Sequence, residues 1–302
     1  MKAQTIAPLQ NVWNDCLKSL GREVHVIWLF TYYDLSSTLI PAMLFLIGAL
    51  HSDPQPFQAT AILVARGLIY FFLYIFTFCV SNQLIGIEED RLNKPHRPLV
   101  TGMVTSRGGM VRWLFGMALF TLAGWLFGVL EWTLLWQVTM IVNNFGGMSK
   151  SWVGKHLTIS LGTLAMMASA WQIITPVTAI AWQWIILTTL ALFPLIAVQD
   201  LRDMDGDRAI GRKTLPILFG EWPVRIMLGL GFGSLPILIH FGMMLPAGFT
   251  LGTFVCDVGI AVTCLTIATR VVLFRTQAAD HRTYMIFTYW YCFLLASAII
   301  AL

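Results

Sequence analysis

The stretch that decides the fold is TAILVARGLIYFFLYIFTFCVSNQLI, residues 60–85, followed at once by GIEEDRLNKPHRP, residues 86–98. The first run carries one charged side chain, Arg66. It exceeds the roughly 20 apolar residues that cross a bilayer core as a helix. The second run is its opposite: Glu88, Glu89 and Asp90, then Arg91, Lys94 and Arg97, with Pro95 and Pro98 to end a helix. The same boundary recurs where the apolar run 179–199 meets Asp200, Asp203, Asp205 and Asp207, with Arg202, Arg208, Arg212 and Lys213 between and after them.

Outward from these runs the rest of the chain agrees. With 57% hydrophobic and 11% charged residues in 302, and a mean hydropathy of +0.74, too little polar surface exists to cover a water-soluble globule, in which charged residues approach a quarter. Long uninterrupted apolar runs also exclude a transmembrane barrel, whose strands alternate over short segments. The reading is an all-α polytopic membrane protein, a single domain over 1–302. Nine spans are expected around a central cavity, at 26–50, 60–85, 109–130, 132–148, 157–175, 179–199, 222–245, 249–269 and 284–302. The five cysteines form no CxxC pair and read as packing residues. No short apolar core followed by a small-residue cleavage site precedes the first span, which is expected to be its own targeting signal.

Lys and Arg divide sharply between the two faces. The links after spans one, three, five and seven hold none, and 18 of the 19 basic residues gather on the other face, from Lys2, Lys18 and Arg22 to Arg270, Arg275 and Arg282. By the positive-inside rule that face is cytoplasmic. The basic balance therefore reports topology, and no nucleic-acid partner is expected.

Eight of the 15 carboxylates lie in or just after the two long cytoplasmic motif loops, 82–108 and 200–220. Both loops share one order: apolar helix, acid cluster, bases, Pro, next helix. An internal repeat follows, with spans two and three corresponding to six and seven. At helical spacing Asn82, Gly86, Glu89 and Asp90 share a face, and Asp200, Asp203 and Asp207 form a stripe at i, i+3 and i+7. Like charges so placed repel, and hard oxygen ligands of this kind suit Mg²⁺ bound with substrate phosphates. A plainer account has the same acids solvated and balanced by Arg91, Arg202 and Arg208.

Two strings give these residues a family. Asn93-Lys94-Pro95-His96-Arg97-Pro98 and Gly206-Asp207-Arg208 with Gly211 and Thr214-Leu215-Pro216 resemble the motifs of the UbiA superfamily of intramembrane prenyltransferases, and the resemblance covers the whole chain. It implies a UbiA-like helical fold in which the motifs bind Mg²⁺ and an isoprenyl diphosphate and ionise it. Carried over by position, Asn82 and Asp90 match the outer ligands of the first motif, and Asp203 and Asp207 match the second. The implied metal set is Asn82, Glu89, Asp90, Asp200, Asp203 and Asp207, and Lys94, Arg97, Lys150, Arg208 and Lys213 are the implied diphosphate contacts. Of the basic pair Lys150 and Lys155, Lys150 is favoured.

Gly86 stands where the family places its middle Asp, and Gln83 where it has the Asp of Asn-Asp. Altered first motifs of this kind resemble the fungal membrane-bound terpene cyclases of the superfamily. There the allyl cation attacks a double bond of its own chain. Cyclisation of farnesyl or geranylgeranyl diphosphate, a fifteen- or twenty-carbon chain, is therefore the leading expectation, with transfer to an aromatic or quinone-precursor acceptor as the alternative. A transporter or scaffold that kept the fold is a third. The endoplasmic reticulum of a eukaryote or the inner membrane of a bacterium is the expected location, with the lipid bilayer as environment and no obligatory protein partner.

Three ionisable residues fall deep in the expected spans: Asp34, Arg66 and Asp257. Such residues are costly in hydrocarbon and signal a use. Arg66 lies about 24 Å from Asn82 along its helix at 1.5 Å per residue, so it either snorkels to the opposite interface or pairs with Asp257. Asn143 and Asn144 either line the cavity or bond between helices.

Overall fold

The apolar runs do become helices, and the computed structural model describes them over residues 6–209 and 211–302. Lys2, counted above among the cytoplasmic bases, lies outside the described residues, as does the side chain of Asn93. The helices are α1 (Ile6–Thr31), α2 (Leu35–Ser52), α3 (Phe57–Ile85), α4 (Ile87–Asn93), α5 (Ser106–Leu126), α6 (Leu130–Asn144), α7 (Trp152–Gln172), α8 (Ala179–Leu195), α9 (Ala197–Ala209), α10 (Leu215–Phe219), α11 (Glu221–Ile239), α12 (Leu251–Leu273) and α13 (Gln277–Ala301). No strand is named among the described residues.

Seven helices are long and apolar enough to cross a membrane among the described residues: α2, α3, α5, α8 with its continuation α9, α11 with the π turn that follows it, α12 and α13. The chain is thus built as an integral membrane protein. Helices α6 and α7, expected as spans four and five, do not reach that measure. The first is only 15 residues long. The second is held inside the bundle and presents Gly154, His156, Thr158, Ser160, Gly162, Thr163 and Ser169 to other helices. A helix that meets protein on most sides has no need of an apolar surface, so its hydropathy falls without its leaving the bundle.

Neighbouring helices pack in chain order, α2 on α3, α3 on α5, α5 on α6, α6 on α7, α7 on α8, α8 on α11, α11 on α12 and α12 on α13, and α13 returns to α2. Lipid offers no hydrophobic force between helices, so contact and interhelical hydrogen bonds hold such a ring. Tyr74 stacks on Trp136 with centroids 4.6 Å apart, and its hydroxyl donates to the Gly162 carbonyl at 2.8 Å. A Cβ on Gly162 would come within 2.7 Å of the Trp136 ring, so only glycine admits that approach. Asn144 donates to Ser81 at 2.7 Å and Thr158 to Asn143 at 3.0 Å, the interhelical use of these two asparagines.

The structure corrects several boundaries. The expected span 26–50 is broken at Tyr32–Asp34, and only α2 continues across. Asp34 precedes α2 at its motif end, its carbonyl accepting from the Ser37 hydroxyl at 2.8 Å. It is therefore not deep in the bilayer, because the chain turns where the acid would otherwise enter hydrocarbon. The motif segments are not open loops: α4, α9 and α10 are helical. Gly86 separates α3 from α4, so the one-face reading of Asn82, Gly86, Glu89 and Asp90 is interrupted at its middle member. A buried pair between Arg66 and Asp257 does not form. Asp257 meets His240 Nδ1 at 2.6 Å in the π turn, and Arg66 is exposed with its guanidinium 5.7 Å from the centre of the Phe127 ring.

Candidate active site

The first acid motif is shaped by the break at Gly86. The Gly86 amide donates to the Asn82 carbonyl at 2.9 Å and ends α3, and the Asp90 amide donates to the Gly86 carbonyl at 2.8 Å and starts α4. A Cβ at Gly86 would meet that Asn82 carbonyl oxygen at 3.0 Å. Gly86 thus stands where α3 ends and α4 begins. Asp90 is turned inward and takes Arg97 Nη1 on both oxygens, at 2.8 and 2.7 Å. Both side chains are 6% exposed, and Arg97 Nη2 also stands 3.9 Å from Asp34. Gln83 is buried and donates to the Phe30 carbonyl of α1 at 2.9 Å, with no bond to Asp90 or Arg97.

The second motif lies on α9, beyond the apolar part of the α8–α9 run. Asp200 is fully buried, with Lys155 Nζ at 2.5 Å on one oxygen and His156 Nε2 at 3.3 Å on the other. Asp203 is bonded by Arg202 at 2.6 and 2.7 Å, and the same guanidinium lies 4.3 Å from the centre of the Tyr284 ring. Asp207 accepts from Arg212 at 3.1 Å.

Arg212 joins the two motifs. Its guanidinium reaches Glu89 of α4 at 2.9 and 3.0 Å and Asp207 of α9 at 3.1 Å. Gly211, at φ +70°, takes the left-handed conformation that lets the chain turn back after α9, and the Arg212 amide returns to the Asp207 carbonyl at 2.9 Å. A short parallel bridge then ties this turn to the start of α7: Lys213 donates to the Lys150 carbonyl and Trp152 to the Lys213 carbonyl, each at 3.0 Å. That clamp sets Lys155, on the first turn of α7, against the acids of α9.

The expected residues therefore divide. Glu89 and Asp207 are joined through Arg212, Asp200 and Asp203 stand on the same helix as Asp207 with bases of their own, Asp90 and Arg97 form a separate pair, and Asn82 closes α3. Lys150 and Lys213 meet through backbone atoms with their side chains exposed. Lys94 is exposed, and Arg208 stands 3.6 Å from the exposed Asp205. Four residues were missed or undervalued: Asp34, Lys155, His156 and Arg212. The repeat could have found Arg212, since it follows Asp207 as Arg97 follows Asp90. His156 gave only the weaker signal of an imidazole beside a lysine at the edge of a span.

The fit to a divalent cation rests on one atom. Asp207 Oδ2 is buried and has no hydrogen-bond partner, an arrangement that is costly unless a ligand completes it. No three His, Cys, Asp or Glu side chains close on one point among the described residues. The carboxylates are instead held by arginine and lysine, which leaves room for a cation only together with an anion that draws those bases off.

The chain matches the UbiA prenyltransferase family over residues 38–294. It is 42% identical over 302 residues, all of both chains, to the somaliensene A/B synthase of Streptomyces somaliensis. It is 33% identical to the diterpene cyclase eriG of Hericium erinaceus, covering 92% of this chain and 88% of that one. It is 31% identical to the polyprenyl transferase eriF of the same fungus, over 91% and 94%. The fold is that of a UbiA homolog from Archaeoglobus fulgidus bound to GPP and Mg²⁺, at a TM-score of 0.67 and 16% identity over 91% of this chain and 99% of that one.

Proposed function

The chain belongs to the UbiA prenyltransferase family and is an enzyme of it, and from that premise we propose that it ionises an isoprenyl diphosphate with Mg²⁺ and closes the resulting cation into a ring. The observation that carries the ionisation is the bridge from Glu89 through Arg212 to Asp207, which brings both acid motifs to one place. Full-length similarity to a somaliensene synthase and a diterpene cyclase supports cyclisation over transfer.

In this reading the carbon–oxygen bond to diphosphate breaks and its electron pair leaves with the diphosphate. Lys155, Arg97 and Arg212 neutralise that charge, the kind of preorganised stabilisation that lowers such barriers most. Mg²⁺, where bound, adds Lewis-acid stabilisation of the same leaving group. Asp207 is its first holder because Oδ2 is free, with Asp203, Glu89 and Asn82 on the half-buried rim. Asp90 and Asp200 act one step back, fixing Arg97 and Lys155. The allyl cation then accepts the π pair of a double bond in its own chain, and the ring cation is quenched by losing a proton to give an alkene or by capturing water and losing a proton to give an alcohol.

Crossings by α6 and α7 complete nine spans of one catalytic domain, with the motif end in the cytoplasm because the bases gather there. That orientation fits the inner membrane of a bacterium or the endoplasmic reticulum of a eukaryote. Fifteen- and twenty-carbon diphosphates are the proposed substrates. Transfer to an acceptor is the second reading, and the 31% identity to a polyprenyl transferase favours it.

The test is incubation of the membrane-embedded enzyme with isoprenyl diphosphates of ten to twenty-five carbons and Mg²⁺, without acceptor, followed by gas chromatography with mass detection. A cyclic terpene absent from Asp203→Ala is expected. Product only on adding a phenolic acceptor would establish transfer and end the cyclase reading.

A further inference from the structure

Arg66 is the one Lys or Arg that the charge pattern along the sequence does not assign to the motif end. Among the described residues it makes no salt bridge or hydrogen bond, and its guanidinium rests against Phe127, the residue that ends α5 at the far side of the bundle. An unpaired cation at that depth is costly unless it reaches polar groups at the interface. It lies about 24 Å from Asn82 along α3, so the diphosphate site does not account for it.

What lies next to Arg66 does. A groove of about 630 Å³ opens between α2, α3 and α5, lined by Leu68, Ile69, Phe72, Leu119, Leu122 and Phe127 among other apolar residues. Phe127 is shared: one ring borders both the groove and the guanidinium. From Arg66 the groove runs about 10 Å along α3 toward the middle of the bundle, to the level of Phe72 and Leu73, at 1.5 Å per residue. A cation beside an open, apolar surface groove matches one kind of molecule in a bilayer.

We propose that Arg66 and this groove form a phospholipid site in the leaflet opposite the acid motifs, with the lipid phosphate on the Arg66 guanidinium and one acyl chain in the groove. The planar guanidinium donates two parallel hydrogen bonds to a phosphate. The aromatic face beneath it holds it in place. The chain's apolar surface is continuous with the lipid-facing sides of α3 and α5, where Leu68, Ile69, Leu122 and Leu126 are exposed. The site is a binding site for a structural lipid and takes no part in the chemistry.

Native mass spectrometry of the full-length protein in detergent, titrated with phosphatidylglycerol, tests it. Wild type is expected to keep one phospholipid under activation that strips the rest. Arg66→Gln and the groove-filling Leu122→Trp are each expected to weaken that lipid about tenfold or more, with Arg66→Lys between, because lysine keeps the charge and loses the fork. Arg282→Gln, an exposed arginine elsewhere, should change nothing, and a diacylglycerol with the same chains should bind about tenfold more weakly or worse for want of its phosphate. Equal retention by wild type and Arg66→Gln, or equal binding of the diacylglycerol, overturns the proposal. So does displacement of the lipid by farnesyl diphosphate in wild type but not in Arg66→Gln, which would give the groove to substrate. Matched thermal unfolding of both variants separates loss of the site from loss of the fold.

Discussion

The two acid motifs follow one order in sequence and end in different electrostatic states. In the first, the last acid is closed: Asp90 takes Arg97 on both oxygens and both side chains are nearly inaccessible. In the second, the last acid is half open: Asp207 gives one oxygen to Arg212 and leaves the other buried and unpartnered. A satisfied pair fixes geometry, and an unsatisfied oxygen asks for a ligand. On the proposed function the first motif is the frame and the second the working side, with Arg212 bonded to both.

The largest expected effect breaks the working side. Asp207→Asn should lower Mg²⁺-dependent diphosphate release by about a thousandfold, the scale of losing one preorganised electrostatic contact, measured as kcat/KM in reconstituted membranes. A loss of twofold or less would mean that the open oxygen binds nothing that matters. Next comes the frame. Arg97→Ala strands a buried Asp90 and should cost about 3–5 kcal/mol of stability, seen as a lower thermal midpoint, whereas removing both charges with Arg97→Met and Asp90→Asn should restore much of it. If the single variant melts like wild type, the first motif is not the frame.

Arg212→Gln sharpens the comparison further. It cuts the bridge while leaving Asp90–Arg97 intact, and about a tenfold fall in kcat/KM is expected with a melting midpoint lowered less than by Arg97→Ala, since the Glu89–Arg212 half of the bridge is partly exposed and such pairs add about 1 kcal/mol or less, and the buried Asp207 keeps Lys155 nearby. A collapse of stability would show the bridge to be structural. Gln83→Met is the smallest. It removes one hydrogen bond to the Phe30 carbonyl but also an unpartnered buried oxygen of Gln83, and these offset to a change of about 1 kcal/mol or less. A large loss of activity without unfolding would give Gln83 a part in the chemistry beyond its bond to Phe30.

Much of the architecture was legible. The runs 60–85 and 179–199 announce helices by length alone, and the acids after each mark the candidate site. Lys155 and Arg212 were harder to see because their importance lies in partners 45 and 123 residues away in sequence. Asp34 was misplaced for the same reason: hydropathy counts Leu29 and Leu35 on either side of it and cannot register that the backbone turns between them.

The sequence by itself determined that this chain lives in a bilayer, which end carries its charge, and which two segments hold its acids, because lipid imposes those constraints residue by residue. Only the tertiary structure decided which base neutralises which acid, that Asp200 is enclosed by Lys155 and His156, that Asp207 keeps an oxygen free, and that Arg66 stands beside an apolar groove. Burial and pairing depend on distances between helices, and a pattern along one helix carries no record of what the next one brings beside it.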